Sequence, residues 1–197
     1  MSIVPLDSTV RTPLGVIRLS ASEADGASVL YQIGPVVPRM PSRMRQVDGC
    51  IAALWRVVAG RGTGSIEIHC RWLSSPGEGD PRSGESLHAL TWIRAGIAVT
   101  MGTEDAETLA GRAAAGGLGL PQRLQSLFVE PDSIRYVADG LITVLPPLEA
   151  GEACEGHFVI AWGPETEDLA TWMAVDQPHP ELSLKVAGGT RLPRDEV

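Results

Sequence analysis

Four histidines, three cysteines and a single lysine are the side chains of this 197-residue chain whose spacing could organise chemistry. Cys154 and His157 stand as C-x-x-H, and His69 and Cys70 are adjacent. A tetrahedral zinc site needs three or four nitrogen or sulfur ligands that converge, and two unconnected pairs do not supply them. A cysteine nucleophile needs a histidine that lowers its thiol pKa and a third group that orients the base. Cys154 lies in the acidic run Glu152-Ala-Cys-Glu155, where negative charge raises that pKa, and Cys50 sits in an apolar stretch that reads as packing. No G-x-S-x-G occurs, and the clusters Gly60-Arg-Gly-Thr-Gly64 and Gly116-Gly-Leu-Gly119 fit neither a dinucleotide nor a Walker loop, so they read as turns and caps. The surroundings of Lys185, the one lysine, match no phosphate-binding, Schiff-base or general-base pattern. These residues predict a non-enzymatic protein with no catalytic residues, no metal site and no cofactor.

Charge is distributed unevenly. The net charge is −8, and residues 136–184 contain nine acids and no Lys or Arg. Such a stretch repels nucleic acid and anionic membranes and attracts basic protein surfaces. Trp162 and Trp172 flank Glu165, Glu167 and Asp168. Core packing is the ordinary role of such indoles, but beside acids they would also suit an anchor for a basic partner. The odd, scattered cysteines fit reduced thiols. The N-terminus lacks the basic start and apolar run of a signal peptide, and no run of about 18 apolar residues occurs. The expectation is a soluble, cytoplasmic protein that binds neither nucleic acid nor membrane.

The elements that must carry these residues follow from periodicity. Val10 to Ser20 and Ala27 to Gly34 read as a hairpin about the turn Glu23 to Gly26. Val47, Ile51, Leu54, Trp55 and Val58 fall at helical spacing after the proline-rich link 35–41. Gly64 to Leu73 alternates, with Ile66, Ile68, Cys70 and Trp72 on one face and Glu67, His69 and Arg71 on the other. Residues 74–86 read as a linker or long loop, being almost free of apolar side chains. Beyond it come strands within Leu87 to Met101, a helix opened by Thr103 to Ala106, with Thr103 as its cap and the acids Glu104 and Asp105 complementing its dipole, and strands at Ile134 to Val137, Leu141 to Leu145 and His157 to Trp162. Asp139-Gly140 marks a hairpin turn between the first two of these. Thr166 to Met173 reads as a short helix, and Leu182 to Val186 as a final alternating strand.

Leu182-Ser-Leu-Lys-Val-Ala-Gly-Gly189, followed by the tail TRLPRDEV, resembles the C-terminus of ubiquitin-like protein modifiers, Leu-x-Leu-Arg-Leu-x-Gly-Gly with a short removable extension. Lys185 stands where that pattern has a basic residue. Leu169 and Trp172 stand where ubiquitin has a Leu and a Tyr. The resemblance implies an α+β fold of two small mixed units, β-grasp-like, each a mostly antiparallel sheet with one main helix. They would be an N-terminal unit 1–73, a linker 74–86, a C-terminal unit 87–189 and a flexible tail 190–197. It also implies cleavage after Gly189, conjugation through Gly188 and Gly189, and activating, conjugating and processing enzymes as partners. The alternative is an acidic immunity or adaptor protein whose surface at Trp162, Glu165, Glu167, Asp168 and Trp172 masks a basic toxin or enzyme.

Overall fold

The computed structural model describes residues 7–22, 25–44, 46–84, 86–115, 119–128 and 133–189. Among them the chain forms eleven strands in two antiparallel sheets, with three short helices. The strands are β1 (Asp7–Thr12), β2 (Gly15–Ala21), β3 (Ala27–Pro35), β4 (Gly49–Ala59), β5 (Ile66–Trp72), β6 (Asp80–Ser83), β7 (Leu87–Arg94), β8 (Ile97–Glu104), β9 (Ile134–Val137), β10 (Gly140–Leu145) and β11 (Ala153–Pro164). The helices are α1 (Ala106–Ala114), α2 (Asp168–Val175) and α3 (His179–Gly189). One sheet runs β1-β2-β5-β10-β9 and the other β3-β4-β11-β8-β7-β6.

The fold is therefore a mostly β sandwich, and the expectation of two β-grasp-like α+β units is overturned. Strands from both halves of the chain share each sheet: β5 pairs with β10, and β4 with β11. The segment expected to link two units contributes β6, paired with β7. The early hairpin is β1 with β2, whereas β3 crosses to the other sheet and pairs with β4.

The segment read as a helix around Trp55 is β4, and its burial explains the misreading. Ala53, Trp55, Val57 and Ala59 face the other sheet, while Cys50, Ala52 and Leu54 face the helices on the opposite side. A strand covered on both faces needs apolar residues at nearly every position, which erases the period of two. The next strand in sequence, β5 of the other sheet, has one face open, and there Ile66, Ile68, Cys70 and Trp72 alternate with Glu67, His69 and Arg71 as expected.

The inverse error concerns the C-terminal segment. Leu182 to Val186 is not a strand but part of α3, where Leu182 and Val186 are buried four residues apart and Leu184 is 77% exposed. Pro180 falls in the first turn, where a missing N–H breaks no helical hydrogen bond. Gly188 and Gly189 belong to the last turn of this helix. The tail 190–197 lies outside the described residues.

Two cores result. The larger lies between the sheets and holds Ile17, Leu19, Tyr31, Trp55, Trp92, Met101 and Phe158 among others. The smaller lies on the far side of the six-stranded sheet, where α2 and α3 cover Cys50, Ala52, Ala89, Val159 and Ala161. Small residues on this face let the helices come close: a Cβ at Gly102 would stand 2.7 Å from Val175 of α2. All five tryptophans lie against glycines. Trp55 covers Gly156 and Trp162 covers Gly49, each its direct cross-strand partner in the β4–β11 pair. Trp72, Trp92 and Trp172 lie against Gly15, Gly79 and Gly84. Five of the 22 glycines thus serve as flat seating for indole rings. No helix among the described residues is long and apolar enough to cross a membrane.

Candidate functional site

The six-stranded sheet places two chemically active side chains under the helices. Along β11, alternate residues face α2 and α3, so Glu155, His157, Val159 and Ala161 share that side. Thr103 of β8 pairs with Phe158, which sets the next residue, Glu104, beside His157 at the strand's end. The Thr103 hydroxyl donates to the His157 carbonyl at 2.8 Å and fixes this register. β8 passes directly into α1, whose N-cap Asp105 accepts the Thr108 amide at 2.7 Å. The cap expected at Thr103 therefore lies two residues further on, because the strand extends through Glu104.

From α1, Arg112 returns to the sheet and grips Glu104 with two parallel bonds, Nε to Oε1 at 3.1 Å and Nη2 to Oε2 at 2.8 Å. Nη2 also donates to the Glu155 carbonyl at 2.8 Å. The last member is His179, the first residue of α3. Its carbonyl accepts the Ser183 hydroxyl at 3.0 Å, and two residues before it the Gln177 side chain accepts the Arg39 amide at 2.8 Å and donates to the Asp176 carbonyl at 2.9 Å.

The result is a buried cluster of Glu104, His157 and His179 whose ligand atoms all lie within 4.8 Å of one another. Nδ1 of His157 is 3.1 Å from Nδ1 of His179, and 3.8 Å from Oε2 of Glu104. Beyond His179, Oε2 of Glu155 stands 3.8 Å from Nε2, and the other Glu155 oxygen is 3.5 Å from Arg56. Burial, and then the nearby Arg112 charge, push the His157 pKa down to about 3. For His179 burial again dominates, aided by His157 and Arg112 and opposed by Glu104, and its pKa also falls to about 3. Both imidazoles are therefore neutral at physiological pH and have lone pairs to give, the state that metal ligation requires. Glu104 and His157 form part of the lining of a cleft of about 150 Å³, whose walls also include Ser86, Thr108, Asp176 and Gln177.

The pairs singled out in the sequence do not converge. Cys154 points into the core between the sheets and His157 to the opposite face. Cys70 is likewise internal, whereas His69 lies on the outer face of the five-stranded sheet, 3.0 Å from Glu67. All three cysteines are buried and free, and burial pushes the Cys50 and Cys154 thiols up to about 12. Sequence reasoning set Cys154 beside His157 and singled out neither Glu104 nor His179 as a ligand. His179 carried no periodic signal, and its position between Pro178 and Pro180 was the one local hint of a fixed backbone.

The residues expected to bind a basic partner are divided. Trp162 packs against the core between the sheets, and Trp172 against the smaller core under the helices. Glu165 is exposed and Glu167 half-buried in a short 3-10 turn before α2. Asp168 begins α2, and its side chain lies outside those described. Much of the acidic stretch is matched by cations from elsewhere: Arg71 holds Asp139, Arg123 holds Glu152, and Arg56 faces Glu155.

No protein-family model matches the chain, and no curated protein matches it. Among solved structures, it is similar to one described as "Putative kojibiose phosphorylase from human microbiome", at a TM-score of 0.44 and 9% sequence identity, over 88% of this chain and 22% of that one.

Proposed function

We propose that this protein binds one divalent transition-metal ion of the zinc class through Glu104, His157 and His179. The observation that carries the reading is the convergence of three buried ligand atoms within 4.8 Å. An ion about 2.0–2.1 Å from each nitrogen, in tetrahedral geometry, spaces its ligand atoms by roughly 3.3 Å. The separations of 3.1 and 3.8 Å lie on either side of that value, and the third pair, Glu104 and His179, falls within 4.8 Å. Two imidazoles and one carboxylate suit zinc and its neighbours, whereas calcium and magnesium take shells of oxygen. Arg112 occupies both oxygens of Glu104 with a side-on fork, which favours a single remaining bond from that carboxylate to an ion. Three protein ligands leave a fourth position for water, as in zinc sites that exchange ligands, and the cleft lies beside it.

The test is titration of chelator-treated protein with zinc chloride by calorimetry, with elemental analysis of the product. One ion per chain is expected, and His179→Ala and His157→Ala should abolish the saturable uptake. Cobalt should give the intense visible bands of a four-coordinate site. Wild-type protein that takes up no zinc, or a His179→Ala variant that binds as wild type does, overturns the reading.

A further inference from the structure

We infer that the cleft beside Glu104 and His157 takes a short ligand bearing a primary ammonium group: Asp176 binds the ammonium, and an oxygen elsewhere on the ligand reaches the ion. The inference rests on the metal-binding reading above and adds to it the chemical class of molecule that would share the site.

Two kinds of group line the cleft. Glu104 and His157 belong to the ion site, whereas Ser86, Thr108, Asp176 and Gln177 do not. Strand pairing sets Asp176 close to the first kind. Leu87 is the cross-strand partner of Glu104, and Ser86 continues that pairing by accepting the Asp105 amide at 3.1 Å. The Ser86 hydroxyl in turn stands 3.4 Å from Oδ1 of Asp176.

The two carboxylates of the wall are employed differently. Arg112 occupies both oxygens of Glu104. Asp176 is half-buried, and among the described residues no arginine, lysine or histidine pairs with it. Its charge is therefore left for a cation that enters, and charge-assisted hydrogen bonds are the strong ones. An ammonium brings three donors, and the hydroxyls of Ser86 and Thr108 supply further acceptors in the same wall. No Lys or Arg is among the described residues of that wall, so nothing there would hold a phosphate or sulfate arm. Size narrows the class again. A cavity of about 150 Å³ holds a molecule such as benzene, so the arm has only a few carbons, flanked by Leu87, Val175 and Pro178.

The test compares two hydroxamates, which bind zinc through their oxygens, on zinc-loaded protein by calorimetry. β-Alanine hydroxamate and butyrohydroxamate have chains of equal length, one ending in an ammonium and the other in a methyl group. The ammonium compound should bind at least about tenfold more tightly. Asp176→Asn should remove that preference and leave zinc uptake in place. Rising sodium chloride should narrow the preference as well, a readout that does not need the variant to fold. Equal binding of the two hydroxamates, or a preference that survives in Asp176→Asn, overturns the inference and leaves the metal site standing. If the wild type takes up no zinc, the metal reading falls, and propylammonium chloride added to the metal-free protein decides the ammonium site alone. Saturable nitrogen-15 shifts at the Thr108, Asp176 and Gln177 amides, lost in Asp176→Asn, uphold that site, and their absence overturns it.

Discussion

The two faces of the six-stranded sheet solve different problems. The face turned to the other sheet is filled by large apolar side chains, with Trp55, Trp92, Met101 and Phe158 among them. The face under α2 and α3 is built from Ala52, Ala89, Val159 and Ala161, and polar groups are set into it. The Thr91, Thr100 and Thr171 hydroxyls form a chain at 2.9 and 2.7 Å there, and Glu104 and His157 lie on the same side of the sheet, further along β8 and β11. Burying polar groups costs free energy unless each is partnered, so they collect where short side chains leave room for partners. The inner face is a continuous apolar core, and the helix-covered face holds the buried polar groups.

That division can be broken from its strongest side first. Phe158→Ala removes a fully buried ring from the inner face and should cost about 3–5 kcal/mol in denaturant titration. On the helix face, saturation with zinc at a hundred times its dissociation constant should add about 2.7 kcal/mol to the same measurement, and His179→Ala should erase the gain. Gly102→Ala, whose new methyl would meet Val175 at 2.7 Å, should cost about 1–3 kcal/mol and increase amide exchange first in α2. The smallest effect separates a helix from a strand at residues 182–186. Leu184→Ser should change stability by less than about 0.5 kcal/mol, because the side chain is in solvent, whereas Leu182→Ala should cost about 2–5 kcal/mol. Equal costs at the two positions would contradict the helix.

What could be read in the chain beforehand follows the same division. β5 was legible, faces included, because one side meets water and its pattern alternates. β4 was not, because both sides are covered and the sheet overrides the apparent helical spacing. The C-terminal Leu-x-Leu alternation pointed to a strand, yet only Leu182 and Val186 are used, at the spacing of one helical turn. His157 was noticed, but its neighbour in sequence, Cys154, points the other way across the pleat. Its actual companions come from a strand end 53 positions earlier and a helix start 22 positions later. Glu104 was read as a first-turn acid of the helix that follows it, since a strand running straight into a helix leaves no punctuation between them. Local pattern reports which side of an element is wet; it is silent on which distant elements meet.

The tryptophans seated on glycines give the molecule gauges of its own. The indole N–H groups of Trp55, Trp72, Trp92 and Trp172 are buried with no hydrogen-bond partner among the described residues. Each of these protons can reach solvent deuterium only when its glycine seat opens. Trp172 belongs to α2 and packs on the smaller core, and the other three line the space between the sheets. Four exchange rates, read from one spectrum, would therefore time the lifting of the helical cover separately from the parting of the sheets.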